Sequence, residues 1–328
     1  MTGITAQHGD CFIVPRLMQL IEVCVNKNPM KLGICCVYFY GEDGEWLLPL
    51  QLKFIAETLS GYPYTIYAAA NRIAPDLHAT LSATPNVRIV ELPFTTERAS
   101  AEHSIYLDKL IDLAYSDGCS HIATLDSDSF PIVNDWPRIL LSKMNGVMRF
   151  SAVLRTENGD TALPHPCGYF MTRDFFADYK PSLLPGPEIT QDPIYQSFLQ
   201  GTKQRADTGI GYGYALWNSH EQWLPLLRSN LHNMHFLMAG IYGDIFFHLG
   251  SSSRRPAFFM DSQTHISLRL ADRLNQAPFF WRISKFIVEN YLKKNEKLYR
   301  QITTQLREDP RQLFSELSMD VNATRIPH

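Results

Sequence analysis

The stretch His121-Ile-Ala-Thr-Leu-Asp126-Ser-Asp128-Ser-Phe-Pro131 decides how the rest of the chain is read. Its apolar run at 122–125 predicts a short buried strand, and that strand leads directly into two aspartates one residue apart. Side chains alternate along an extended backbone, so Asp126 and Asp128 can point the same way at the strand's end. Two carboxylates placed so can bind one hard cation, and such a cation can hold a diphosphate. Asp and Ser are also ordinary turn formers, and Pro131 is a common loop residue, so the motif alone is a weak signal. Its weight comes from what precedes it.

Residues 33–40, Gly-Ile-Cys-Cys-Val-Tyr-Phe-Tyr, form a continuous apolar run suited to a strand buried on both faces. Residues 46–59 place Leu47, Leu50, Phe54, Ile55 and Leu59 at near-helical spacing, ended by Gly61 and Pro63. Strands are expected at 64–70 and 86–92, and a helix at 100–115 that stops at Asp117-Gly118. Strands alternating with helices imply a doubly wound sheet with right-handed crossovers, in which ligands sit beyond the carboxyl ends of the strands. That rim receives Asp126 and Asp128, together with Tyr38 and Phe39 on one strand end and Asn71-Arg72 on another. An aromatic ring there can stack on a nucleobase and the Asn amide can hydrogen-bond it, although core packing is the ordinary fate of such aromatics.

The pattern is less regular afterwards. Strands are expected at 147–153 and 168–172 and a helix at 174–179. Residues 181–206, carrying Pro181, Pro185, Pro187 and Pro193, read as a loop or excursion over the site, of the length that often forms a lid. In Asp207-Thr-Gly-Ile-Gly-Tyr-Gly213 the aromatic and aliphatic residues alternate with glycine in a way that suits close backbone packing better than phosphate cradling. Residues 241–250 read as an apolar strand that ends in His248 and Gly250, followed by Arg254 and Arg255. A neutral imidazole there can complete a cation's coordination, and the arginines can offset phosphate charge. Residues 272–317 are strongly helical, with an apolar stripe expected to dock on the core or on a second copy of the chain. Its basic, aromatic character also suits a helix lying on an anionic membrane surface.

A chain of 328 residues can bury a large core, and a net charge of -3 argues against a nucleic-acid partner, whose phosphates would need a basic surface. The six cysteines, Cys11, Cys24, Cys35, Cys36, Cys119 and Cys167, include no CxxC pair, so buried thiols in a reducing compartment are expected. No apolar run approaches the ~20 residues that span a bilayer, and the start of the chain lacks the order of a signal peptide. A cytoplasmic protein is expected, peripheral to the inner face of the membrane if the last helix docks there.

Together these features resemble the GT-A class of nucleotide-sugar glycosyltransferases over residues 33–255. Leu125-Asp126-Ser127-Asp128 is similar to that class's Asp-x-Asp motif, and Phe247-His248-Leu249-Gly250 to its late His-Leu-Gly segment, whose histidine binds metal in many members. The resemblance implies a GT-A type, Rossmann-like doubly wound mixed sheet over 1–255, with a nucleotide-binding half at about 31–130 and an acceptor half at about 131–255, then a mainly helical extension at 256–328. It also implies that His165-Pro-Cys-Gly168 lines the donor sugar, that Asp207-Thr-Gly209 faces donor and acceptor, and that Lys109 reaches the nucleotide. The chain departs from the inverting pattern, since Ala206 rather than an acidic residue precedes Asp207. It also departs from a retaining pattern in which glutamine follows the aspartate, because Thr208 stands there.

Under this reading Asp128 and His248 are direct ligands of Mn²⁺ or Mg²⁺, and Asp126 is a ligand or a contact to ribose and metal-bound water. The donor contacts are Tyr38, Phe39, Asn71, Arg72, Lys109, Asp126, Ser127, Arg155, Gly168 and Arg254. The first candidate for the base that accepts the acceptor's proton is Asp207, then Asp192 and Asp244. The expected partners are a UDP-sugar and a glycan, lipid-linked or small-molecule acceptor. Two rival readings share the motif: a haloacid-dehalogenase-like phosphohydrolase with Asp126 as nucleophile, and a non-catalytic nucleotide-binding scaffold.

Overall fold

The structure is a computed structural model that describes residues 30–323 except 42, 43, 98, 205, 231–236, 251–265 and 277–279. Its first half runs β1 (Leu32–Val37), α1 (Leu47–Thr58), β2 (Tyr64–Ala69), α2 (Pro75–Ala83), β3 (Val87–Ile89), α3 (Ser100–Ser116) and β4 (His121–Asp126). All six residues of β1 are buried, because the strand lies between β2 and β4 with a helix layer on each face. Ile34 and Cys36 face α1 through Leu48, Leu52 and Ile55, while Cys35 and Val37 face α3 through Leu107, Leu110 and Ile111. This alternation is why the run of 33–40 carries no polar face. Each large aliphatic side chain removed from water here contributes about 1.5–3 kcal/mol.

The second half adds β5 (Ser129–Pro131), α4 (Trp136–Met144), β6 (Phe150–Val153), β7 (His165–Thr172), α5 (Arg173–Tyr179), α6 (Pro187–Thr190), α7 (Pro193–Thr202), α8 (Ile210–Ser219), β8 (Leu224–Leu226), β9 (Gly240–Tyr242) and β10 (Phe246–His248). The seven-stranded sheet has the order β3-β2-β1-β4-β7-β6-β8. β7 runs antiparallel to both β4 and β6, and the other pairs are parallel. The chain thus has the expected doubly wound mixed sheet, and helices α9 (Ile266–Asn275), α10 (Trp281–Glu308) and α11 (Pro310–Ala323) follow it. Ile302, Leu306, Leu313, Phe314 and Leu317 from the last two helices share a core with Phe54, Phe130 and Phe247. Among the described residues no helix is long and apolar enough to cross a membrane.

Two local expectations need correction, and a third, close backbone packing at the glycine-rich run, is met. The apolar run at 241–247 is a hairpin, β9 to β10, because Gly243 and Asp244 both take positive φ (60° and 61°) and reverse the chain in the three-residue loop between the paired Tyr242 and Phe246. Residues 181–206 are not a bare loop: Pro187 and Pro193 stand at helix starts, where a missing N–H costs nothing. The segment packs on its own cluster of Leu163, Tyr195, Phe198 and Ile210. The glycine-rich run after Asp207 opens helix α8, where a Cβ at Gly211 would overlap the Ser182 carbonyl and one at Gly213 the Ala162 carbonyl. These glycines are required by the close backbone approach.

Candidate active site

The site is assembled from strand ends. β4 finishes at Asp126, level with Val37 of β1, and the chain turns through Ser127 and Asp128 into β5. β5 then pairs antiparallel with β10, setting Ser129 opposite His248, while Leu249 N–H donates to the Asp128 carbonyl at 3.0 Å. One backbone ladder therefore brings together residues more than a hundred positions apart. His248 Nε2 lies 3.4 Å from Asp128 Oδ1 and 3.7 Å from Asp126 Oδ2.

The turn between the aspartates is held by Gln51 and Ser129, which the sequence did not single out, and by Ser127. Gln51, fully buried on α1, donates its Nε2 to the carbonyls of Asp126 and Ser129, each at 2.7 Å. Ser129 Oγ accepts from Asp126 N–H at 2.9 Å and donates to the Cys167 carbonyl at 2.7 Å, and Ser127 Oγ donates to the Phe39 carbonyl at 2.8 Å. A buried Gln in an otherwise apolar helix stripe is the one signal by which such a clamp shows in sequence.

A cavity of about 530 Å³ opens over this turn. It collects Asp126, Ser127, Asp128 and His248 with Tyr38, Phe39, Asn71, Arg72, Arg155 and Asp207. Asn71 donates Nδ2 to the Leu92 carbonyl at 2.7 Å, and Arg72 Nε pairs with Glu102 at 2.7 Å. Asp207 Oδ1 accepts from Ser100 Oγ at 2.9 Å and from Thr208 N–H at 2.8 Å. Arg155 Nε lacks a hydrogen-bond partner and stands 3.7 Å from Asp160.

Four expected residues lie elsewhere. Lys109 is exposed on α3, and Gly168 is buried against Val153 and Phe246. Asp192 caps α7 by accepting from Ile194 N–H at 2.8 Å, and Asp244 is exposed at the β9–β10 turn. Arg254 falls outside the described residues. The cavity also takes in His165, from the segment expected to line the donor sugar, and gains His103, which nothing in the sequence announced. His103 Nε2 lies 3.6 Å from Asp126 Oδ1, and His165 Nδ1 lies 4.0 Å from Asp126 Oδ2.

Burial pushes the Asp126 carboxyl above its ordinary pKa, against the pull of His103 and His248. For His248 burial alone would act downward, yet the Cys167 thiol and Asp128 carboxylate outweigh it and hold the imidazole well above its ordinary value. His165 is held well below the imidazole range by burial and by the Arg155 charge. Asp126 Oδ1 is itself buried without a hydrogen-bond partner. Asp126, Asp128 and His248 each offer a ligand atom within 4.8 Å of the others, so the donor set fits a divalent cation.

No family model and no curated protein matches the sequence. Solved structures similar to the chain include a Desulfovibrio desulfuricans protein assigned as a nucleotide-diphospho-sugar transferase, with 9% identity, 61% of this chain and 80% of that chain covered, and a TM-score of 0.39. The galactosyltransferase LgtC, in complex with donor and acceptor sugar analogues, overlaps at 10% identity, 61% and 74% coverage and a TM-score of 0.36. S. aureus TarS 1-349 overlaps at 8% identity, 48% and 52% coverage and a TM-score of 0.33.

Proposed function

We propose that the chain is a metal-dependent glycosyltransferase of the GT-A class, moving a sugar from a nucleoside-diphosphate sugar, with uridine the favoured base, to an acceptor hydroxyl. The observation that carries this reading is the convergence of Asp126, Asp128 and His248 at the carboxyl end of β4, lining a cavity of about 530 Å³. That volume lies within the range that encloses small ligands.

Asp128 and His248 would hold Mn²⁺ or Mg²⁺, with Asp126 as a further ligand or a contact to ribose and metal-bound water. When bound, the ion supplies Lewis-acid neutralisation of the charge that develops on a departing diphosphate. Arg155, which lines the cavity with Asp207 and feels its charge, adds a fixed positive charge. Phe39, 42% exposed, offers a ring face to a nucleobase. Asn71, whose amide N–H is spent on Leu92, keeps its carbonyl oxygen for a base donor. Ser100 and the Thr208 amide fix Asp207 through Oδ1, which leaves Oδ2 to accept the acceptor's proton.

The acceptor class is a glycan, a lipid-linked sugar or a small molecule. Exposed Phe280, Trp281, Ile283 and Phe286 lie beside Arg282 and Lys285 at the start of α10, a combination that suits peripheral contact with the inner face of a membrane in a cytoplasmic protein. A second copy of the chain is the other occupant of that face, and vesicle co-sedimentation separates the two.

The test is nucleotide release across UDP-, GDP- and CMP-sugars with Mn²⁺. Turnover of a UDP-sugar that disappears in Asp128→Ala supports the reading. Absence of release from every donor, or turnover of an aryl phosphate that disappears in Asp126→Asn, overturns it.

A further inference from the structure

The residues of β7 that reach Asp126 form a ligand set that a hard-cation site does not require. The pairing of β4 with β7 ends at Thr124 and Tyr169, and beyond it a carboxylate oxygen of Asp126 and the Cys167 sulfur come within 4.8 Å. On its other edge β7 slips in register: Ala152 pairs with Tyr169 but Val153 pairs with His165, so 166–168 have no partner on β6. A bulge of this kind bends the strand and re-aims its side chains. The freed backbone is satisfied locally, since Thr124 Oγ1 donates to the Pro166 carbonyl at 2.6 Å and Ser129 Oγ to the Cys167 carbonyl at 2.7 Å. Pro166 has no N–H to lose. The outcome is that Asp126, His165 and Cys167 offer an oxygen, a nitrogen and a sulfur within 4.8 Å of one another.

We propose that Asp126, His165 and Cys167 form a second cation position, for a soft divalent ion such as Zn²⁺, joined to the Asp126, Asp128 and His248 position through the shared carboxylate. Thiolate and imidazole ligands suit Zn²⁺ and Cd²⁺, whereas Mg²⁺ prefers all-oxygen surroundings. Zinc–ligand bonds are about 2.0–2.3 Å, and His165 Nδ1 lies 4.0 Å from Asp126 Oδ2, close enough for both to reach one ion. Coordination releases the thiol proton to solvent and changes no oxidation state. Because both positions draw on Asp126, a soft ion seated on Cys167 takes a ligand from the hard-ion position and opposes its filling. The inference stands on these three side chains and is independent of the sugar-transfer reading.

Titration of the chelator-stripped full chain with Cd²⁺, followed by thiolate-to-metal charge-transfer absorption in the ultraviolet, tests it without reading activity. The expected result is a band that saturates at one equivalent, is lost in Cys167→Ser, and requires at least about tenfold more Cd²⁺ in His165→Ala. Cys11, Cys24, Cys35, Cys36 and Cys119 remain in both variants, the last three of them buried, so the Cys167 band is read as the difference between the parent and Cys167→Ser titrations. Absence of a band in the parent chain, or its persistence in Cys167→Ser with the parent's affinity, overturns the proposal. If Cys167→Ser does not fold, as read by its metal-free melting curve, His165→Ala decides, and unchanged Cd²⁺ affinity in that variant refutes the site.

Discussion

Gln51→Leu removes the clamp beneath the proposed metal-binding turn while nearly conserving volume. The Gln51 amide donates to two carbonyls, Asp126 and Ser129, each at 2.7 Å, and the side chain is fully buried. Leaving a buried acceptor unsatisfied costs about 1–3 kcal/mol. Ser129 O bears the larger loss, since its contact is buried. Asp126 O is better placed, because its contact is only part-buried. The two together predict a destabilisation of about 2–4 kcal/mol, only partly offset by the better burial of leucine. Urea unfolding followed by tryptophan fluorescence measures it. The backbone of Asp126 to Ser129 also positions the proposed ligands, so Mn²⁺ affinity is expected to fall by about 10–100-fold, the size of effect that supporting groups around a metal site exert. A variant within about 0.5 kcal/mol of the parent and with parental Mn²⁺ affinity would refute the clamp.

Two further outcomes follow from buried groups away from the turn. Burial raises the Asp108 carboxyl to about 7, against the lowering effect of the Leu183 N–H it accepts and with a further upward push from Asp112. The folded chain therefore holds a proton that the unfolded chain releases near pH 4, and the associated stability is present in full below pH 4 and lost as pH rises through about 7. Asp108→Asn keeps an acceptor for Leu183 and should remove that loss, gaining about 2–4 kcal/mol on the parent between pH 5 and pH 8 in denaturant titrations; equal pH profiles would contradict it. Phe314→Ala should destabilise by about 3 kcal/mol, since Phe314 packs on Phe54, Phe130 and Phe247 at ring separations of 5.5, 6.1 and 5.0 Å. Limited proteolysis should then cut the last helix faster than in the parent.

The parallel half of the sheet was legible because β1 and β4 are apolar on both faces, a pattern that half-buried strands do not show. Asp126 and Asp128 were legible because they end such a strand. The β9–β10 hairpin was not, since a run of apolar residues interrupted only by Gly243-Asp244 has the composition of one longer strand. His103 was invisible for a different reason: nothing local distinguishes it. His165 was read as part of a donor-lining segment, but its approach to Asp126 was not, since that depends on the bulge in β7. Gln51 acts through a tertiary contact 75 positions away, so no window of sequence contains both it and its partner.

The central claim is that Asp126, Asp128 and His248 hold a cation that in turn holds a nucleoside diphosphate. The most direct measurement is the melting temperature of the full chain with UDP alone, Mn²⁺ alone and both together, in the parent and in Asp128→Ala. A rise with the pair that exceeds the sum of the separate rises, and that vanishes in Asp128→Ala, is the predicted result. A rise that is unchanged in Asp128→Ala, or no rise with any nucleoside diphosphate, would contradict it.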